Sequence, residues 1–291
     1  MLHRQFAIWR PYRIVALTLL AGVAVIAPPR IEAADEADWQ ELFNGKNLAG
    51  WRDGAGHWLA AKAVSPDPRN ERLFKVEPGA GVLVNGPEGK EHNLISEAEF
   101  GDIEAHIEFN LPKGSNSGVY LQGRYEIQML DSYGVEHPKY GDCGGIYQRW
   151  KDSKGFEGTP PLVNASLPPG EWQTFDIVFR APRFDSAGNK TANARFEKVV
   201  HNGKLIHENV EVTGPTRSPL SEDEAPAGPL LFQGDHGPVA LRDVRVKPLE
   251  QNERAELSIP RQLPGVQHDG SILLPNQWSL NPVGKQIKLG D

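Results

Sequence analysis

The chain has 291 residues, with 31 Lys and Arg against 38 Asp and Glu for a formal charge of -7 at pH 7. That length suits one large domain with tails. The acidity is spread without a polybasic stripe or a basic helix, which excludes the electrostatic footprint of a nucleic-acid binder.

Residues 1–34 read as an export signal: basic residues at His3, Arg4, Arg10 and Arg13, an apolar run from Ile14 to Ile26, then a small-residue cleavage site at Ile31-Glu32-Ala33. The apolar run is shorter than the roughly 20 residues a spanning helix needs. The expectation is therefore an exported protein, periplasmic or extracellular, with no stable membrane insertion after cleavage. The one cysteine, Cys143 in "GDCGGIY", rules out an internal disulfide and a cysteine metal cluster, and is expected to be a buried small residue.

The next stretch, Glu36 to Leu42, offers at best one helical turn. From there 30 Gly and 24 Pro cut the chain into short segments, most with the period of two that marks strands. Strands are expected at "GVLVN" (81–85), "NLISEAEF" (93–100), "GVYLQG" (118–123), "RYEIQML" (124–130) and "GGIYQRW" (144–150). "GDIEAHIEFNL" alternates Ile103, Ala105, Ile107 and Phe109 with Asp102, Glu104, His106 and Glu108, giving one buried and one wet face.

"WQTFDIVFR" repeats that alternation with Phe175, Ile177 and Phe179. "ARFEKVVHNGKLIHENVEV" reads as a hairpin about Asn202-Gly203, a pair suited to a type I′ turn. After a Pro-rich loop over 212–229, strands return at "PLLFQG" and "VALRDVRVKPL". Trp51, Trp58 and Trp172 are expected in the core or at its rim. The pattern predicts an all-β domain over 35–250, a two-sheet antiparallel β-sandwich of jelly-roll type. Residues 251–291 lack periodicity and read as an extended C-terminal tail.

In "RYEIQMLDS", Arg124, Glu126 and Gln128 share one face, opposite Tyr125, Ile127 and Met129. A β-bulge after Gln128 would bring Asp131 onto the face of Glu126; without it Asp131 begins a turn. The spacing Glu126-x-Gln128-x-x-Asp131 resembles the E-x-D-x-x-E strand of laminarinase-like glycosidases, with an amide in the middle position and a shorter final acid. In that reading Glu126 and Asp131 would form a retaining pair with carboxyls about 5 Å apart.

Five blocks resemble the 3-keto-disaccharide hydrolase family, also described as 3-keto-glucoside 1,2-lyase and 3-keto-2-hydroxyglucal hydratase. They are "WQELFNGKNLAGW" (39–51), "FGDIEAHIEFNLPKGSNSGVYLQGRYEIQMLDS" (100–132), "GGIYQRW" (144–150), "PPGEWQTFDIVF" (168–179) and "GPLLFQGDHGPVALRDVRVKPL" (228–249). The resemblance implies a concanavalin A-like fold in an exported bacterial enzyme. It also implies cleavage of 3-keto-glycosides by proton abstraction at carbon 2, elimination of the aglycone and hydration.

Such chemistry needs a base, an acid for the leaving group and a partner for the enolate. The residues the resemblance points to are Glu126, as base or metal ligand tuned by Arg124, together with Asp131 and His236. Asp235 would orient His236 or join Glu126 and His236 around a divalent metal ion of unassigned identity. Asn116, Ser117, Gln128 and Gln233 would hold sugar hydroxyls, Tyr147 and Arg149 the carbonyl, and Trp150 a sugar ring.

No G-x-G-x-x-G follows a strand, so neither nicotinamide nor flavin is expected, and an upstream sugar 3-oxidase is implied as the source of substrate. The alternatives are a non-catalytic carbohydrate-binding module of the same fold and the conventional retaining β-glycosidase.

Overall fold

The computed structural model describes residues 38–52, 56 and 58–249, with short strands at Gly265–Val266, Ile272–Leu273 and Ser279–Leu280 that pair with one another antiparallel. The export segment, 1–34, and most of the expected tail lie outside the described residues.

Among the described residues there is no α-helix. The strands are β1 (Gln40–Glu41), β2 (Leu59–Asp67), β3 (Asn70–Val84), β4 (Leu94–Phe100), β5 (Ile103–Asn110), β6 (Asn116–Leu121), β7 (Tyr125–Leu130) and β8 (Arg149–Lys151). They continue with β9 (Lys154–Phe156), β10 (Trp172–Arg180), β11 (Arg183–Phe184), β12 (Lys190–Ala192), β13 (Ala194–His201), β14 (Lys204–Val212), β15 (Gly228–Phe232) and β16 (Ala240–Pro248).

A large sheet runs β14-β13-β10-β5-β16-β3-β2, with β1 also on β16, and a four-stranded sheet runs β4-β15-β6-β7. Every pairing in both is antiparallel. The fold is thus the expected all-β sandwich. Of the stretch expected to hold a helical turn, Glu36 and Ala37 lie outside the described residues, Asp38 is in a 3₁₀ turn, and Gln40–Glu41 form a strand paired with Val246 and Arg245.

The alternating residues meet between the sheets. Ile103, Ile107, Phe109, Phe175, Ile177 and Phe179 of the large sheet and Val119, Leu121, Tyr125, Ile127 and Met129 of the small one are all within 2% of full burial. Tyr125 and Phe179 join the layers with ring centroids 5.4 Å apart. Each such side chain contributes about 1.5–3 kcal/mol as an upper figure.

The expected hairpin joins β13 and β14. Asn202 and Gly203 both have positive φ, 49° and 75°, as a type I′ turn requires.

The β2–β3 hairpin was legible only at its last four residues, 81–84. Ala61 pairs with both Val82 and Pro78, so 79–81 are looped out and the hairpin bends there. Gly79 makes the bend possible: its φ is 155°, and a Cβ would meet the Lys62 Cβ at 2.6 Å. The bent hairpin buries Phe74, Val82 and Val84 in a small separate core with Ala61 and Ala240.

Candidate active site

β6 and β7 pair without a register break from Asn116↔Leu130 to Leu121↔Tyr125. Residues that pair share a face, so Asn116, Gly118 and Tyr120 lie with Glu126, Gln128 and Leu130 on the side away from the sandwich core. That side is not wet. The outer edge of β7 is closed by 144–147: the Gln128 N–H donates to the Gly145 carbonyl (2.9 Å) and the Tyr147 N–H to the Glu126 carbonyl (3.1 Å). The Glu126 N–H donates to Thr216 Oγ1 (3.1 Å) from the long 212–229 loop. Glu126 and Gln128 are accordingly 2% and 5% exposed.

The Glu126 carboxyl lies over Gly118, where a Cβ would stand 2.2 Å from its Oε1. Burial pushes its pKa up to about 8, and a hydrogen bond from Tyr120 offsets part of that rise. At neutral pH Glu126 therefore holds its proton. The Tyr120 hydroxyl also reaches the Arg217 carbonyl (3.2 Å). It has one proton and two acceptors. When Glu126 is ionised the phenol serves the carboxylate; when Glu126 is protonated the phenol can turn to the carbonyl and accept from the acid.

Beside this pair stands the loop after β15. Asp235 Oδ1 lies 2.5 Å from His236 Nδ1, and the imidazole is half-exposed. The charge of Asp235 is felt at Tyr120, whose ionisation burial, Glu126, Tyr147 and Asp235 all oppose. Gly237 packs against the backbone of Asn116, whose Oδ1 accepts from Gln128 Nε2 (2.8 Å). Glu126, Tyr120, Asp235–His236, Asn116, Gln128 and Tyr147 therefore form one neighbourhood. Gln233 borders it, its N–H on the Gly118 carbonyl.

The sequence profile of the 3-keto-alpha-glucoside-1,2-lyase-like domain matches residues 38–247. The chain belongs to that family. Its fold is similar to a Parabacteroides distasonis protein provisionally described as a glycosyl hydrolase, at 29% identity and a TM-score of 0.54, covering 73% of this chain and 84% of that one. A second P. distasonis protein with the same description is similar at 15% identity and a TM-score of 0.49, over 74% and 96% of the two chains. No curated protein matches the sequence. A carbohydrate-active domain is the function class that the family match and the first of these similarities support.

Several residues expected in the site of this 3-keto-alpha-glucoside-1,2-lyase-like domain are employed elsewhere. The bulge that would turn Asp131 toward Glu126 is absent, so Asp131 falls on the opposite face, some 17 Å along the chain at the strand rise. Its carboxylate accepts from the Gly114 N–H (2.8 Å) and caps a turn. A retaining pair of Glu126 and Asp131 is ruled out by that placement.

Ser117 is fully buried on the inner face and donates to the Gln233 carbonyl (2.8 Å), so it is closed to a sugar. Arg124 does not tune Glu126; it donates to the carbonyls of Asp223 (2.6 Å) and Gln122 (2.9 Å) and pins the 212–229 loop. Arg149 is bound by Thr213 Oγ1 (2.6 Å) and Glu157 (3.6 Å). Trp150 is exposed, as a platform requires, yet the Arg217 guanidinium covers one face at 4.0 Å from the ring centroid.

The expected metal ligands Glu126, Asp235 and His236 do not converge. Among the described residues, the His and carboxylate atoms that approach within 4.8 Å of one another are those of His106, Glu108 and Asp243, on the outer face of the large sheet. There Glu108 pairs with Arg242, Asp243 with Arg245 (3.2 Å), and His106 Nδ1 with Asp176 (2.6 Å), so the charges are already compensated. The donor set near Glu126 does not fit a metal.

Tyr120 was missed from the sequence. The signal was present: a three-residue turn over 122–124 sets Tyr120 of β6 against Glu126 of β7.

Proposed function

We propose that this domain cleaves 3-keto-glycosides by elimination across carbons 1 and 2 followed by hydration. A ketone at carbon 3 acidifies the hydrogen at carbon 2. A base removes that proton, the electron pair forms an enolate, and the enolate expels the glycosidic oxygen from carbon 1, which leaves with a proton. Water then adds across the enone to give the free 3-keto sugar.

The observation that carries this reading is the pairing of a protonated carboxyl with an Asp-oriented imidazole in one neighbourhood. His236, steered by Asp235, is the base, and Glu126 is the acid, relayed through Tyr120. This reverses the expected role of Glu126, because burial favours its neutral form. Asn116, Gln128 and Tyr147 are placed to hold sugar oxygens. The family membership supports the substrate class, and the export signal read over 1–34 supports action outside the cytoplasm on sugars oxidised by another enzyme.

The test is NMR-monitored turnover of a 3-keto-glucoside and its unoxidised parent in deuterated water. Cleavage of the keto sugar alone, with deuterium at carbon 2, is expected. Cleavage of the unoxidised parent at equal rate, or no cleavage of either, would overturn the reading. His236→Ala should lower kcat by about 10²–10⁴.

A further inference from the structure

We propose that the groove at the C-terminal end of β7 is a second sugar-binding subsite, built for a unit that carries an anionic group. The substrate would be an acidic oligosaccharide spanning this groove and the Glu126 neighbourhood; that spanning role rests on the reading above.

The groove, about 780 Å³, lies between the tip of the β2–β3 hairpin and the turn before β6, and Arg69, Asn70, Glu71, Arg72, Lys113 and Asp131 line it. A hollow of about 380 Å³ continues from it past Lys113 and Asp131 to Tyr133. Its polar groups are unequally committed. Arg69 is held by Asp67 (3.0 Å), and Lys113 by Glu71 (2.6 Å). Asp131 accepts from the N–H groups of Gly114 and Tyr133. Arg72 has no carboxylate partner among the described residues, and its guanidinium lies over Gly114, where even a Cβ would approach Nη2 to 3.2 Å. A planar donor fork that makes no ion pair, at the wall of a groove, is suited to a carboxylate or sulfate.

Tyr133 supplies the second element of sugar recognition. Tyr133 is 59% exposed, the most exposed aromatic among the described residues, yet its N–H donates to Asp131 Oδ1 (3.4 Å). The neighbouring Ser132 accepts at Oγ from the Cys143 N–H (2.9 Å) and at its carbonyl from Asn164 (2.7 Å). An aromatic face on a rigid backbone beside hydrogen-bonding groups is a stacking platform for a sugar ring.

The groove lies at the end of the β6–β7 pair that carries Glu126. Leu130 pairs with Asn116, and the Asp131 N–H donates to the Ser115 carbonyl (3.0 Å). The separation of roughly 17 Å along the strand exceeds one sugar ring.

Calorimetry with the Glu126→Gln protein separates binding from turnover. A glucuronate oligosaccharide, a sulfated oligosaccharide and a neutral gluco-oligosaccharide of equal length are the probes. At least one anionic probe should bind tenfold or more tighter than the neutral one, which of the two identifying the anion. Arg72→Ala and Tyr133→Ala should each remove that margin. Equal binding of all three, or an unchanged margin in Arg72→Ala, would overturn the subsite. The wild-type protein is assayed in parallel on a neutral 3-keto-disaccharide too short to reach the groove. Turnover there with no anionic margin removes the subsite alone; an anionic margin without turnover removes the reaction and keeps the subsite.

Discussion

Tyr120 and Glu126 are register partners across β6 and β7, and the phenol hydroxyl lies between the Glu126 carboxyl and the Arg217 carbonyl. The pair sets the alkaline limit of the proposed reaction. With Glu126 pushed up to about 8, its acid form is lost as pH rises through that value, and kcat should fall with it. Glu126→Gln should reduce turnover at least 100-fold. In Tyr120→Phe the relay is broken and turnover should fall, and with the hydrogen bond that lowers the Glu126 pKa gone, the alkaline limb of what remains should move upward. A pH–rate profile of both variants checks this.

The same shift makes a stability prediction. Glu126 ionises near 4.5 when exposed and near 8 when folded, so the unfolded state binds fewer protons between those values. The contribution is complete below 4.5 and declines as pH rises toward 8. Glu126→Gln should flatten that decline by a few kcal/mol in urea titrations.

Gly118→Ala places a methyl group 2.2 Å from Glu126 Oε1 and 3.0 Å from its Cγ and Cδ. The carboxyl has no exposed space to retreat into. Turnover should drop more than tenfold, with about 1–3 kcal/mol of destabilisation from overpacking. A chemical denaturation curve beside the kinetics separates the two effects.

Asp102, expected on a wet face, is 4% exposed and bound to Arg183 (2.5 Å), Arg180 (3.2 Å) and the Ala181 N–H (2.9 Å). Burial alone would raise its pKa, but the Arg183 bond and the Ala181 N–H carry it below the usual carboxylate range. Its stabilisation is present above the unfolded pKa and lost as pH falls through the folded one. Asp102→Asn should cost about 2 kcal/mol at pH 7, discounted for partly exposed arginines, and should weaken the acid limb of the stability curve.

Cys143 is 1% exposed, and burial pushes its thiol up to about 12. As a buried small residue it should react with a maleimide at least ~100-fold more slowly in the native protein than in urea. Mass spectrometry of labelled samples reads this directly.

The fold was legible where one face of a strand differs from the other. Ile103 to Phe109 could only be a half-buried strand, and Asn202-Gly203 could only be a tight turn. The β2–β3 hairpin was hidden because Pro66 and Pro78 interrupt it, which a hairpin at the sheet margin tolerates. Glu126 was legible as a candidate but not as a buried acid, since nothing local announces that 144–147 and Thr216 will close over β7. Asp131 turned on a single question of register. The alternation of Arg124, Glu126 and Gln128 is the same with or without a bulge, so only the observed pairing decides it.

Both sheets take an interior strand from the last part of the described chain. β15 lies between β4 and β6, and β16 between β5 and β3. Neither sheet can close until residues 228–248 have been made, so the β2–β3 hairpin, β4 and the β6–β7 hairpin must wait unjoined behind the growing chain. Such a high contact order implies slow folding with sticky edges exposed meanwhile. A ribosome stalled before Gly228 would hold a chain with both sheets split, and release from synthesis, rather than any early nucleus, would time the appearance of the folded protein.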